Sequence, residues 1–287
     1  MTISTPPRRR PLRWAGTGWA LIRACHPEPA LAVTAGVTAL AAASGRSAAG
    51  LVAVAAAVLT GQLATGWSND WLDAERDTAV GRADKPVATG EVSRSLVGAA
   101  ALVAGLACVP LSLLSGWRAG LVHLVAVACA LAYNARLKAT PFSAVPYAVA
   151  FAAAPAFVTL ASPGSPWPPA WLAVAGAALG AGAHFANVVG DLEDDAATGI
   201  RGLPHRLGRT ASEAAAAALM ALVAVLLTVG PPGAPAPVAW GILAATAVVL
   251  TIGALLGRPP GSRTLFRAVL LTAVGDVVLL LLSGSTL

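Results

Sequence analysis

A chain of 287 residues, 57% hydrophobic and 11% charged, with a mean hydropathy of +0.74, is too apolar for an ordinary soluble domain and reads as an integral membrane protein. Its net charge of +6 does not mark a nucleic-acid binder, because the basic residues are scattered between apolar runs instead of forming a stripe with aromatics. Cys25, Cys108 and Cys129 lack metal-ligand spacing and read as small packing residues.

Residues 1–13, with Arg8, Arg9, Arg10 and Arg13, read as a disordered basic arm that stays cytoplasmic; Arg23, His26 and Glu28 interrupt any signal-peptide core. Residues 14–287 read as a single domain. Apolar runs of roughly 20 residues, enough to cross ~30 Å of hydrocarbon, recur along it. They predict nine spans near 18–43, 48–68, 95–115, 118–135, 142–162, 168–188, 211–230, 236–256 and 265–284, an all-α membrane protein. Pro27 and Pro29 mark where an interfacial helix turns into the first span. With the N-terminus inside, 17 of the 19 Lys and Arg residues fall on the cytoplasmic side and only Arg46 and Arg118 face out. The expected location is the cell membrane, multi-pass.

At the inner end of the second span stands Asn69-Asp70-Trp71-Leu72-Asp73-Ala74-Glu75-Arg76-Asp77. At 100° per residue Asp70, Asp73 and Asp77 fall within an arc of about 60°, with Glu75 pointing away. Oxygen ligands without His or Cys suit a hard cation such as Mg²⁺, which fills its remaining positions with water and phosphate oxygens. At the inner end of the sixth span, Asn187, Asp191 and Asp195 follow at i, i+4, i+8, spanning about 80° of a helix face. Asp194 reads as a further ligand or the partner of one; Glu193 and Glu75 read as solvated neighbours. Basic residues follow both clusters, Arg82 and Lys85 after the first, Arg201 and Arg206 after the second. Two facing carboxylate clusters are suited to holding Mg²⁺ on either side of one diphosphate, with Arg82, Lys85, Lys138 and Arg201 taking up the remaining charge.

Asn-Asp-x-x-Asp-x-x-x-Asp followed by Arg82-x-x-Lys85-Pro86 and Thr89-Gly90-Glu91-Val92-Ser93 resembles the UbiA superfamily of intramembrane prenyltransferases. So do Asp191, Asp195, Gly199, Arg201, Leu203-Pro204 and Leu207-Gly208, and the stretch from Tyr133 to Lys138. Asp191-Leu-Glu-Asp194-Asp195 resembles the hydroxybenzoate branch, whereas Asn187 and Gly202-Leu203-Pro204 look closer to the naphthoate, chlorophyll and archaeal-lipid branches. The resemblance implies nine helices around a lipid-open central cavity, with a cytoplasmic cap that holds Mg²⁺ and a prenyl diphosphate. It implies Mg-dependent transfer of the prenyl group to a small hydrophobic acceptor, most often an electron-rich ring. A terpene cyclase would share the diphosphate site. A divalent-ion transporter would place its ligands near the midplane instead.

Other polar residues have two readings each. Arg23 and His26 contact acceptor or diphosphate, or anchor the interface; His184 lines the cavity, or hydrogen-bonds a neighbouring helix; Trp67 and Trp71 shield the cation, or belong to the aromatic belt. Tyr133 is placed at the cavity by the resemblance. His123 reads as structural. Asp276 is the one acidic residue in the middle of a span, so it faces the bundle interior, with His123 or Thr272 as its partner, and either is structural or touches the acceptor.

Overall fold

The computed structural model describes residues 14–256, 262 and 264–282, so the basic arm expected at 1–13 lies outside the described residues. All of its regular structure there is helical. Nine helices have sixteen residues or more: α2 (Pro27–Ala43), α3 (Ala48–Ala79), α4 (Arg94–Leu113), α5 (Trp117–Ala135), α6 (Val145–Leu160), α7 (Ala170–Val189), α10 (Arg209–Val229), α11 (Pro237–Leu256) and α12 (Thr264–Leu282). Short pieces join them at one end of the bundle: α1 (Trp14–Ala24), a 3₁₀ turn (Leu137–Ala139), α8 (Leu192–Ala197) and α9 (Leu203–Leu207). Five helices, α3, α4, α5, α7 and α10, are long and apolar enough to cross a membrane; Val145–Leu160 and Pro237–Gly253 are shorter apolar helices.

The turn expected at Pro27 and Pro29 within the predicted span 18–43 falls at Cys25–His26, where His26 takes a left-handed φ of 56° and α2 restarts on Pro27. The missing amide of that proline costs nothing in a first helical turn. One sequence expectation is corrected: the second acidic cluster does not share one helix face. The helix α7 ends at Val189, the Asp191 amide reaches back to Val188 in a tightened turn, and Asp195 rides on the separate α8.

The bundle packs closely because small residues sit where helices meet. A Cβ on Gly176 would stand 2.5 Å from the Phe151 carbonyl oxygen, and one on Gly180 would run into that of Tyr147, so α7 lies against the bare backbone of α6. Large side chains such as Leu102, Val103, Leu106 and Leu121 point outward, as lipid-facing residues do. Gly180→Ala is expected to cost roughly 1–3 kcal/mol by overpacking. Gly241→Ala, with nothing within 4 Å of the added methyl, is the control. Unfolding midpoints in detergent check this, and equal midpoints would refute the close α6–α7 contact.

One core cluster joins α2, α3, α5, α6, α7, α10, α11 and α12 through Val37, Val54, Phe157, Leu172, Val223 and Leu279, among others. Inside the bundle lies a cavity of about 440 Å³, bordered by Thr65, Tyr133, Asn134, Leu179 and Asp276. Arg46 donates to the Ala161 carbonyl and Arg118 to that of Ser165, placing both at the end of the bundle occupied by the 161–169 loop. The acidic clusters occupy the opposite end.

Candidate functional site

The last three turns of α3 carry the first cluster, and Asp70, Asp73 and Asp77 share a face as their spacing requires. Glu75 points away, 85% exposed, and pairs with Arg94 at 2.7 Å. Trp71 follows it, packed under the Arg94 guanidinium, while Trp67 donates to the Leu21 carbonyl at 2.8 Å. Both tryptophans fasten helices together, Trp67 to α1 and Trp71 to α4.

Asp70 is 1% exposed. Its Oδ1 receives the Lys85 ammonium at 2.7 Å and lies 3.0 Å from His26 Nε2, while Lys85 Nζ is also 2.9 Å from that same nitrogen. One ring nitrogen serves only one of these: it donates to Asp70, or it accepts from Lys85. The strained backbone at His26 is what brings the imidazole over α3, and Gly66 makes room, since a Cβ there would collide with the Cys25 carbonyl.

Asp73 accepts two bonds from Lys138, at 2.5 and 2.6 Å, and is also held by Arg76 and, at 3.2 Å, by the Asn69 amide. Burial pulls the Lys138 ammonium below its usual range, against the opposing pull of Asp73. Asn134, at the end of α5, ties this assembly to α3 by donating to the Thr65 carbonyl and to Ser68 Oγ at 2.8 and 2.9 Å.

Arg82 ties the loop that follows the first cluster to the second cluster, and its charge also reaches Asp77. Its Nε and Nη2 clasp Asp84 at 2.9 Å each, and Nη1 reaches Asp191 at 3.4 Å and Asp194 at 3.9 Å. The bidentate clasp holds the Asp84 carboxyl well below the usual carboxylate range. Asp195 sits 3.6 Å from His205 Nε2. Burial, then the neighbouring Asp191, push its carboxyl up to about 6 even though Lys138 and Arg76 pull the other way; Asp73 adds to the rise. The two clusters therefore lie in each other's field. Asn187 is half-buried near the end of α7, Asp194 and Arg201 are exposed, and the Arg201 carbonyl accepts from Arg206.

Among the described residues no three His, Cys, Asp or Glu side chains gather closely enough to hold a metal ion; lysines and arginines stand between the carboxylates. The donor set nonetheless fits a hard cation. The Oδ2 of Asp70 is buried with no hydrogen-bond partner, and Asp195 is short of positive charge.

Of the two readings of His184, the structure takes the hydrogen bond: it is wholly buried, bonds Ser143 at 3.0 Å and does not line the cavity, while Ser143 Oγ also receives the Leu203 amide and fixes the α7 end to the α9 turn. Arg23 turns to the surface, pairing with Glu91 at 2.9 Å, and His26 turns to Asp70. Tyr133 does line the cavity, edge-on to Tyr147 and His184. Neither expected partner of Asp276 meets it: His123 bonds Ser112 and Thr272 bonds the Val269 carbonyl. Sequence reasoning missed Arg76, Asp84, Asn134 and His205. Of these, Asn134 was the findable one, as an amide closing an apolar helix four residues before Lys138.

The model of the UbiA prenyltransferase family matches residues 30–275. A UbiA homolog from Aeropyrum pernix K1, in its apo form, superposes with a TM-score of 0.70 at 20% identity, covering 93% of this chain and 98% of that one. A UbiA homolog from Archaeoglobus fulgidus bound to GPP and Mg²⁺ gives 0.66 at 18%, covering 91% and 99%. A digeranylgeranylglyceryl phosphate synthase gives 0.64 at 14%, covering 94% and 99%. At these identities the likeness is one of fold. Among curated proteins no sequence relative matches.

Proposed function

The chain belongs to the UbiA prenyltransferase family, and from that premise we propose that it transfers a prenyl group from an allylic prenyl diphosphate to a small hydrophobic acceptor inside the membrane, releasing diphosphate. The observation that carries this reading is the convergence of two sequence-distant acidic clusters, with Lys138 bonded to Asp73 and within the field of Asp195, beside a cavity that Asn134 borders. The relatives bound to GPP or DMAPP with Mg²⁺ support it.

Asn69, Asp70, Asp73, Asp77, Asn187, Asp191, Asp194 and Asp195 are the residues suited to holding Mg²⁺. Bound there, the metal supplies charge that stabilises the departing diphosphate. Arg82, Lys85, Lys138 and Arg201 take up the remaining phosphate charge, Lys138 by exchanging Asp73 for a phosphate oxygen. Below them the apolar cavity receives the isoprenoid chain and keeps water from the allylic cation. Tyr133 faces that cation from the cavity wall.

In this reading the nine long helices span the bilayer, with the acidic end cytoplasmic and the N-terminus inside. The charge split supports this, as does the placing of Arg46 and Arg118 at the other end. The segments 80–93 and 190–208 form the cap, and the acceptor enters from the lipid.

Incubating membranes with Mg²⁺ and prenyl diphosphates of several lengths, followed by mass spectrometry of the lipid extract, tests the proposal. A prenylated product and free diphosphate, both lost on adding EDTA, are expected. A cyclised hydrocarbon without acceptor would mark a cyclase. Absence of diphosphate release at every chain length would sink both.

A further inference from the structure

The cavity wall is not wholly apolar. Asp276 lines it, is 2% exposed, and has both carboxylate oxygens buried without a hydrogen-bond partner. It belongs to the inward row Leu265, Val269, Thr272, Asp276 and Leu279 of α12. In a membrane interior a carboxyl left like this costs the fold free energy in either protonation state, which points to a partner that arrives from outside the chain.

A second polar group lies at the same depth. His123 also lines the cavity. The Ser112 hydroxyl has one proton and stands 2.6 Å from the Cys108 carbonyl, which only accepts; it therefore accepts in turn from His123 Nδ1–H, at 2.8 Å. That fixes the tautomer and leaves Nε2 with its lone pair. Stacking on Phe157 at 4.7 Å holds the ring plane, and the Nε2 edge passes Gly61, where even an added Cβ would make only ordinary contact at 3.5 Å. The Arg267–Glu28 pair places the start of α12 at the same end as the start of α2, beside the acidic clusters. At ~1.5 Å per residue, Asp276 and His123 both lie about 18 Å from that end.

Both groups accept hydrogen bonds. The carboxyl offers an accepting oxygen whether or not it is protonated, and Nε2 only accepts. We propose that Asp276 and His123 anchor the acceptor at mid-depth and select one whose buried end carries a hydrogen-bond donor, a hydroxyl or amine on a ring or lipid. The inference rests on the prenyl-transfer reading and narrows its acceptor.

The test is a thermal-shift titration of the full chain in detergent, with Mg²⁺ and geranyl diphosphate present, using 1,4-dihydroxynaphthalene and 1,4-dimethoxynaphthalene as probes. The dihydroxy compound is expected to bind about tenfold more tightly, the worth of one net hydrogen bond. That ratio falls toward one in Asp276→Leu and in His123→Phe, and is retained in Asp276→Asn, which keeps an accepting oxygen. His123→Phe preserves the stacked ring, so it decides the matter if Asp276→Leu does not fold. Equal response to the two probes in the unmodified protein, including none, overturns the proposal, as does a ratio that survives both substitutions. Geranyl diphosphate binding is measured on the same samples: its absence removes the prenyl-transfer reading itself, while its presence beside a flat ratio removes only the anchoring pair.

Discussion

Asp73→Ala is expected to lower kcat by about a hundred- to a thousandfold, the range for removing one group that stabilises charge only in the transition state. Its carboxylate is the point where Lys138, Arg76 and Asn69 converge, so its loss both removes a proposed metal ligand and frees Lys138 from its position. Glu75→Ala, two residues on, should leave kcat within about twofold, because Glu75 is exposed and paired to Arg94 on the opposite face. Diphosphate release assayed at saturating Mg²⁺, with melting temperatures for both variants, checks the contrast. Asp73→Asn separates the two roles of the side chain: it keeps hydrogen bonding to Lys138 but weakens metal binding, and should therefore be nearly as inactive as Ala. An active Asp73→Asn enzyme would remove Asp73 from the metal site, and equal damage from Glu75 would dissolve the helical-face assignment.

The first cluster was legible in the sequence because its geometry is local. Asp70, Asp73 and Asp77 sit on one uninterrupted helix, and three residues spaced on a 3.6 period need no tertiary information to be placed together. The second cluster defeated the same rule. Nothing in the spacing of Asn187, Asp191 and Asp195 announces that Gly190 and Asp191 tighten the turn and hand Asp195 to a separate helix. The bare Cα of Gly202 lets the chain pass over the Lys138 carbonyl, where a Cβ would stand 2.5 Å away. Helix positions were readable from apolar run lengths, while the break at His26 was only half readable: Pro27 marks a helix start, but the left-handed φ that turns the imidazole onto Asp70 depends on Gly66 forty residues later. Pairings across the bundle, such as Arg82 with Asp191, or Asn134 with Ser68, carry no periodic signal, and so they appeared only in three dimensions.

Lys85→Met is expected to destabilise the protein by about 3–5 kcal/mol, the range for leaving one member of a buried ion pair alone. Asp70 is 1% exposed on its side chain and Lys85 10%, at 2.7 Å, so solvent screens the pair little. Without the ammonium, Asp70 retains only His26, and its Oδ2 already has no partner. Adding Asp70→Asn removes the stranded charge, so the Lys85→Met/Asp70→Asn protein should regain most of the lost stability. It should not regain turnover, because the carboxylate proposed to hold Mg²⁺ is gone together with a cation proposed to bind diphosphate. Unfolding midpoints and initial rates for the two singles and the double form a cycle in which stability recovers and activity does not. A Lys85→Met variant as stable as the unmodified protein would mean that His26 alone balances Asp70. A double variant with restored turnover would take both residues out of the site and leave Asp73, Asp77, Asp191, Asp194 and Asp195 as its proposed acidic core.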